Sequence, residues 1–331
     1  MPLLKSKYKA TGIFKNAHVA SIYASSIRRV AFNFSASDRI ELSDGDFLDL
    51  ERAFYSAGNK KILILLHGLA GNANRPYMRG MAALFHKNGW DIASMNFRSC
   101  SGEINRLYRS YHAGATEDLD AVMQHLKNEN QYSEISLIGF SLGGNLLLKY
   151  LGEQQHLTPE IKSAVAVSVP CDLGASLKEL NKTHNFLYSQ RFLKNLKKEL
   201  RLREAHFPSE INIKEITNCN SLLAIDELYT SKAHGFKDAA DYYQQCSCLG
   251  FLSNINIPTL LINAKNDTFL APNSYPVQLA ENSKNLYLEI PPHGGHVGFI
   301  RHKKPYYHEE RALEFISKSR TSGQAAEYGT H

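Results

Sequence analysis

The sequence predicts an α/β protein: a mostly parallel central sheet with helices on both faces and one helical cap insertion. Three observations carry this. Apolar runs of strand length alternate with segments of helical period, the pattern of parallel strands buried on both sides. The alternation stops over residues 171–252, where helical period replaces strand signals. A glycine-flanked serine stands where one apolar run gives way to a helix.

In chain order, strands are expected at 39–42, 47–52, 62–66, 91–96, 135–140, 164–169, 259–263 and 286–290. Asp44-Gly45-Asp46 between the first two is a tight-turn signal, so they should pair as an antiparallel hairpin. Helices are expected at 77–87, 115–128, 143–152 and 304–319. Thr116 is followed by Glu117 and Asp118, acids in a first turn where the helix dipole favours them. Inside the insertion, Phe192, Leu193, Leu196 and Leu200 fall on one face of a segment rich in Lys and Arg. The expected organisation is a core of residues 1–170 and 253–319, a cap of residues 171–252 over the active face, and a small, polar, disordered tail at 320–331.

Composition narrows the functional classes. Of 331 residues, 43% are hydrophobic and 21% charged, as in soluble globular proteins. No run approaches the roughly 20 apolar residues that span a bilayer. The N-terminal segment has charges but no apolar core of a signal peptide, so a cytoplasmic location is the default expectation. The five cysteines (Cys100, Cys171, Cys219, Cys246, Cys248) show no CxxC spacing and read as reduced, buried or half-buried thiols. A net charge of +6 is modest for this length and fits a solvated surface better than a nucleic-acid binder.

Gly139-Phe140-Ser141-Leu142-Gly143 matches G-x-S-x-G. The pattern alone is weak, but an apolar strand runs into it and a helix opens behind it. Such a turn is so sharp that the serine sits in strained geometry; glycine at 139 and 143 removes Cβ atoms that would collide across it. A serine hydroxyl needs a base, and the base an orienting group. In the order Ser, acid, His, the strand at 259–263 runs into Asp267, and the strand at 286–290 into His293 and His296. Both loops follow the C-terminal ends of parallel strands, where open α/β sheets place their sites. Asp172, after the strand that follows the serine, is an alternative acid. His293 competes with His296, which is favoured because Gly294, Gly295 and Gly298 let its loop approach the serine. An oxyanion hole needs two N–H donors: Leu142, after the serine, and Leu69, in the His67-Gly68-Leu69 turn after the strand at 62–66. His67 is read as fixing that loop rather than shuttling protons.

Several segments together resemble the YheT-like branch of the α/β-hydrolases, bacterial relatives of ABHD-type acylglycerol lipases and of yeast ethanol O-acyltransferases. They are HGLAGNANRPYMRG from His67, MNFRSCSGEINRLYRSYHAGATEDL from Met95, GFSLGGNLLLKYLGE from Gly139, DELYTSKAHGFKDAADYY from Asp226, AKNDTF from Ala264 and PHGGHVGF from Pro292. The branch commonly has Gly where this chain has Ser99. The resemblance implies a carboxylic ester hydrolase with Ser141, Asp267 and His296 as its triad, acting on small-molecule acyl esters. It needs neither metal nor cofactor, and no protein partner or nucleic acid is expected. The apolar insertion suggests short to medium acyl chains. Passage of the acyl group to an alcohol is the alternative, and a silent lipid-binding scaffold a more distant one. Arg98, His112 and Tyr229 fall in family-like motifs and are assigned structural roles ahead of substrate contact. The basic segment 191–203 reads as a lid helix or solvated face, with peripheral membrane contact through the cap as its rival.

Overall fold

The computed structural model describes residues 3–154, 157–302 and 304–321. Among them, nine strands make one sheet: β1 (Leu3–Leu4), β2 (Ala36–Glu41), β3 (Phe47–Ala53), β4 (Lys61–Leu66), β5 (Asp91–Asn96), β6 (Glu134–Phe140), β7 (Ile161–Val167), β8 (Thr259–Ile262) and β9 (Leu286–Glu289). Their spatial order is β1-β9-β8-β7-β6-β4-β5-β3-β2. From β1 to β5 every neighbouring pair is parallel, whereas β3 runs against both β5 and β2. The eight expected strands are all present. The ninth, β1, pairs Leu3 with Leu288 and Leu4 with Glu289; two residues are too few to show a period. The hairpin turns as its Asp-Gly signal requires, with Gly45 at φ +85° and Leu42 N–H donating to the Asp46 carbonyl (2.8 Å).

Strand periodicity sorts the core into two layers. On β4, Ile62, Ile64 and Leu66 pack on one face against Leu119, Val122 and Leu126 of the Thr116–Asn128 helix and Leu146 and Leu147 of the Leu142–Glu153 helix. Leu63 and Leu65 point the other way, onto Met78, Met81 and Phe85 of the Pro76–Lys87 helix and Phe315 and Ile316 of the Tyr307–Thr321 helix. All are essentially excluded from solvent, each burial contributing about 1.5–3 kcal/mol. Pro76 occupies the first helical turn, where its missing N–H costs nothing. The last helix starts at Tyr307, not 304, because Pro305 disfavours helical geometry at the residue before it. That helix continues through Thr321, into the segment read as tail; residues 322–331 lie outside the described residues.

Between β7 and β8 the described chain is helical: Leu173–Leu180, Phe186–Glu204, Ile213–Asn218, Leu222–Ile225 and Ala239–Cys246, with shorter turns between. Side chains cap several starts, as Asp172 does on Ala175 N–H (2.9 Å) and Asp238 on Asp241 N–H (2.8 Å), each such cap being worth about 1 kcal/mol. Phe192, Leu193, Leu196 and Leu200 do share one face, packed with Leu180, Ile216, Leu222 and Phe269 in a cluster of their own. Tyr242, Cys246, Cys248 and Leu252 instead join the core on the sheet. Asn145 ties them there, donating to the carbonyls of Ala113 (3.0 Å) and Cys246 (2.8 Å) and accepting from Cys248 N–H (2.8 Å). The five cysteines are free thiols, Cys100 half-buried and the others buried. Among the described residues, no helix is long and apolar enough to cross a membrane.

Candidate active site

Ser141 follows β6 directly and precedes the Leu142–Glu153 helix. Its backbone sits at φ +53°, ψ −120°, a region that costs a residue with a side chain about 1–3 kcal/mol. The surroundings enforce it. A Cβ on Gly139 would lie 2.4 Å from the Gly143 carbonyl oxygen, and one on Gly143 would lie 2.4 Å from that of His67. Only glycines allow strand, helix and the loop after β4 to meet this closely. Ser141 N–H is bonded to the Val167 carbonyl (2.9 Å), which anchors the turn to the neighbouring strand.

Three side chains from separate strand ends converge. His296, after β9, places Nε2 2.9 Å from Ser141 Oγ and Nδ1 2.8 Å from Asp267 Oδ2, after β8. Asp267 is almost completely buried, and its Oδ1 accepts from Phe269 N–H (3.0 Å). The Phe269 ring covers the imidazole, 4.4 Å between centroids. The loop carrying His296 is held in an unusual path: Gly294, Gly295, Val297 and Phe299 all have positive φ. Positive φ is a real outlier for β-branched Val297, and its N–H donates to Ser168 Oγ (2.9 Å). His293 is half-buried and makes no bond to Ser141. Asp172 is occupied with its helix cap and with Asn273 Nδ2 (3.0 Å).

The loop after β4 lies against the serine: a Cβ on Gly68 would stand 3.1 Å from Ser141 Cβ. His67 is fully buried, and desolvation pushes its pKa down to about 4. Its Nε2 accepts from Phe97 N–H (3.2 Å), which leaves the proton on Nδ1 to donate to the Gly68 carbonyl (2.8 Å). Gly68 N–H donates to Tyr77 Oη (3.2 Å) and Ala70 N–H to Tyr111 Oη (3.0 Å). Among the described residues, the N–H groups of Leu69 and Leu142 have no such partner. Both residues line the cavity over Ser141.

That cavity encloses about 790 Å³, part of it open to solvent, and is walled by Leu173, Leu177, Leu180, Leu196, Leu222 and Phe269. A mouth on the other side of Ser141 is lined by Ser21, Ser25, Tyr188, Arg191 and Phe192. A smaller chamber behind Leu69 and Leu142 holds Glu199, Asp226, His112 and Tyr229. Burial pushes Glu199 up to about 7 and Asp226 up to about 6, although Tyr243 Oη (2.6 Å) and Thr230 Oγ1 (2.7 Å) donate to Asp226.

Arg98, His112 and Tyr229 are all engaged within the protein. Arg98 is buried among Asp118 (2.6 Å), Asp44 (2.8 Å) and Asp46 (3.1 Å). Tyr229 donates to the Tyr108 carbonyl (2.6 Å), and His112 Nδ1 accepts from Gly114 N–H (3.2 Å). His112 and Tyr229 nonetheless line the rear chamber. Ser99 has φ +64°, a conformation that favours glycine; its hydroxyl accepts from Arg203 Nη1 (2.7 Å). Ser21 escaped the sequence reading. Its Oγ accepts from His296 N–H (2.8 Å) and donates to the Ala17 carbonyl (2.7 Å), a contact across 275 positions that no local pattern signals. Among the described residues, one group is spaced to hold a metal, Asp38, His125 and Glu129. It lies away from Ser141, and Arg52 already pairs with both of its carboxylates (2.7 and 2.8 Å).

A family model described as the alpha/beta hydrolase fold matches residues 61–215. The chain is 37% identical to "Putative esterase YheT" of Escherichia coli (strain K12), over 87% of its own length and 85% of that protein's. It is 27% identical to human "Monoacylglycerol lipase ABHD2", covering 90% of this chain and 76% of that one. The solved Pyrococcus furiosus esterase PF2001 shares the fold, with a TM-score of 0.59 at 19% identity, over 88% of this chain and 96% of that one. Identity at that level along most of both chains, on this sheet and this serine turn, shows that the chain belongs to the YheT-like branch of the α/β-hydrolases.

Proposed function

We propose that this α/β-hydrolase cleaves carboxylic esters of short to medium acyl chain through an acyl-enzyme on Ser141. The observation that carries the reading is the unbroken chain Ser141 Oγ, His296, Asp267, at 2.9 and 2.8 Å. In this reading Ser141 Oγ attacks the ester carbonyl carbon while His296 Nε2 takes the hydroxyl proton. Asp267 holds the imidazole and stabilises its cation. The carbonyl electron pair moves onto oxygen, where the N–H groups of Leu69 and Leu142 receive it. As the C–O bond to the alcohol breaks, His296 returns its proton to the leaving oxygen. Water then repeats the sequence, releasing the acid and restoring Ser141.

The reading of residues 171–252 as a cap is supported by the helices between Leu173 and Thr230, whose leucines wall the cavity, whereas Tyr242 to Leu252 pack on the sheet. The cavity's apolar wall supports an acyl chain as occupant, and its size a chain of limited length. The esterase and lipase names of the relatives point to the same reaction class. A fluorophosphonate probe should label the wild type and spare Ser141→Ala. Equal labelling of both would overturn the assignment. A series of p-nitrophenyl esters from acetate to palmitate should peak in the short to medium range, and a rate still rising at palmitate would refute the chain-length part.

A further inference from the structure

The mouth of the site is bordered by two chain segments that carry basic residues and no acids of their own. Along residues 1–37 the sequence has six Lys or Arg, of which Arg28 is buried against Glu309, and no Asp or Glu; along 180–198 it has five, of which Lys182 pairs with Glu179, and again no acid of its own. Both segments border the mouth: Ser21 and Ser25 come from the first, Tyr188 and Arg191 from the second. They are fastened together, His18 Nδ1 to Tyr188 Oη (3.2 Å) and Arg191 Nη1 to Ser26 Oγ (2.9 Å). The helical turns from Ala17 to Ile27 bury Ala20 and Ala24 completely and turn Val19 and Ile22 outward, 37% and 41% exposed. In the segment fastened to them, Phe186 and Leu187 are 57% and 79% exposed, at the start of the Phe186–Glu204 helix.

Large apolar side chains so exposed on two segments fastened together mark a contact surface. The rest of that helix says what kind. Its outward side carries Arg191, Lys194, Lys198 and Arg201, all exposed, and ends in Leu202 at 54%. From Leu187 to Leu202 this stripe runs about 22 Å along the axis. The acid in the middle of the helix, Glu199, lines the rear chamber and does not oppose the stripe. A helix with basic residues outward and apolar residues at the same level lies in the plane of a membrane surface, and anionic headgroups attract each Lys or Arg held near them.

We infer that this face docks on an anionic phospholipid bilayer, with the mouth of the Ser141 site turned toward the lipid. A substrate could then pass from the headgroup layer to the serine without crossing water.

The experiment is co-sedimentation of the full chain with vesicles of phosphatidylcholine alone, and of phosphatidylcholine mixed with phosphatidylglycerol. The wild type should bind the mixed vesicles at least tenfold better, and the preference should shrink as salt is raised. Lys194→Glu with Lys198→Glu should erase the preference. Phe186→Ser with Leu187→Ser should lower binding to the mixed vesicles about tenfold. These four side chains lie outside the Ser141 site, so both double variants should hydrolyse p-nitrophenyl acetate at the wild-type rate, which shows that they are folded. Equal binding to the two vesicle types overturns the inference, as do variants that bind like the wild type. So does a chain that ignores vesicles and instead dimerises through this face in sedimentation velocity. Binding is read without turnover, so its failure leaves the hydrolase reading intact, whereas an inactive wild type would count against that reading alone.

Discussion

Replacing Asp267 with asparagine tests the roles assigned around Ser141 while leaving shape almost unchanged. The carboxylate offers two acceptors, Oδ2 to His296 Nδ1–H (2.8 Å) and Oδ1 to Phe269 N–H (3.0 Å). An amide has one oxygen. Phe269 N–H can only donate, so that oxygen is held there, and the new NH2 faces His296 Nδ1. The imidazole must then present a lone pair at Nδ1 and carry its proton on Nε2, toward Ser141. Two donors confront each other and the base is lost. Asp267 is 4% exposed, so water cannot rescue the pair without leaving a buried donor unpaired. The expected loss in kcat is about 10³–10⁴-fold, or about 4–5.5 kcal/mol of barrier at about 1.4 kcal/mol per decade. Initial rates with p-nitrophenyl butyrate measure it, and thermal unfolding checks that the variant is folded. A folded Asp267→Asn chain within tenfold of wild type would refute the assignment of both Asp267 and the base.

Three further outcomes are expected. His293→Ala and Asp172→Ala should keep kcat within about twofold, while Asp172→Ala loses its helix cap and about 1 kcal/mol in urea unfolding; a large kcat loss in either would reassign the triad. Arg98→Met strands Asp118 and Asp46 without their cation and should cost about 3–5 kcal/mol of stability, read from the shift in denaturant midpoint. Burial pushes Glu199 up to about 7 in the folded chain, against an ordinary value of 4.5. Between those values the folded chain holds a proton that the unfolded chain has released, so Glu199 lowers stability as pH rises through the window. Because the carboxyl still meets the cavity's solvent, the expected effect is about 1–2 kcal/mol. Glu199→Gln should remove that part of the decline between pH 5 and 8, and an identical decline in the variant would show the carboxyl to be solvated.

What was legible in the sequence follows the kind of constraint that wrote it. Buried parallel strands must be apolar on both sides, so β4 to β9 stand out as runs, and β2 and β3 are marked by the turn between them. The serine turn is legible because only glycine fits at 139 and 143, where a Cβ would strike backbone 2.4 Å away. Such clashes cannot be relieved by a rotamer change, so they leave a fixed residue type behind. That Asp267 and His296 meet Ser141 was readable through strand order rather than through spacing. The pairing of β1 with β9 and the bond from Ser21 to His296 were not readable, since each depends on one hydroxyl or two leucines meeting a partner hundreds of positions away. Composition likewise could not divide residues 171–252. Tyr242 and Cys246, like Leu193 and Leu200, are buried residues of helical segments, and only the fold shows the first pair on the sheet and the second in the separate helical cluster.

The strain around the site has a common physical source. Ser141, Ser168, Val297 and Phe299 all hold positive φ, a conformation costing about 1–3 kcal/mol apiece. Each belongs to a segment leaving the C-terminal edge of the sheet or to the loop that carries His296. Ser141 N–H and Ser168 N–H continue the ladder, bonding to Val167 and Ile262 carbonyls at 2.9 Å, and Ser168 Oγ passes the constraint to Val297. The ladder therefore extends one residue beyond β6 and β7 and fixes both serines before the chain can relax. His296 is then held by backbone as well as by its ring contacts, through Ser21 on one side and through Val297 on the other. Loosening either support should therefore misplace the imidazole although no residue of the Ser141, His296, Asp267 chain has changed.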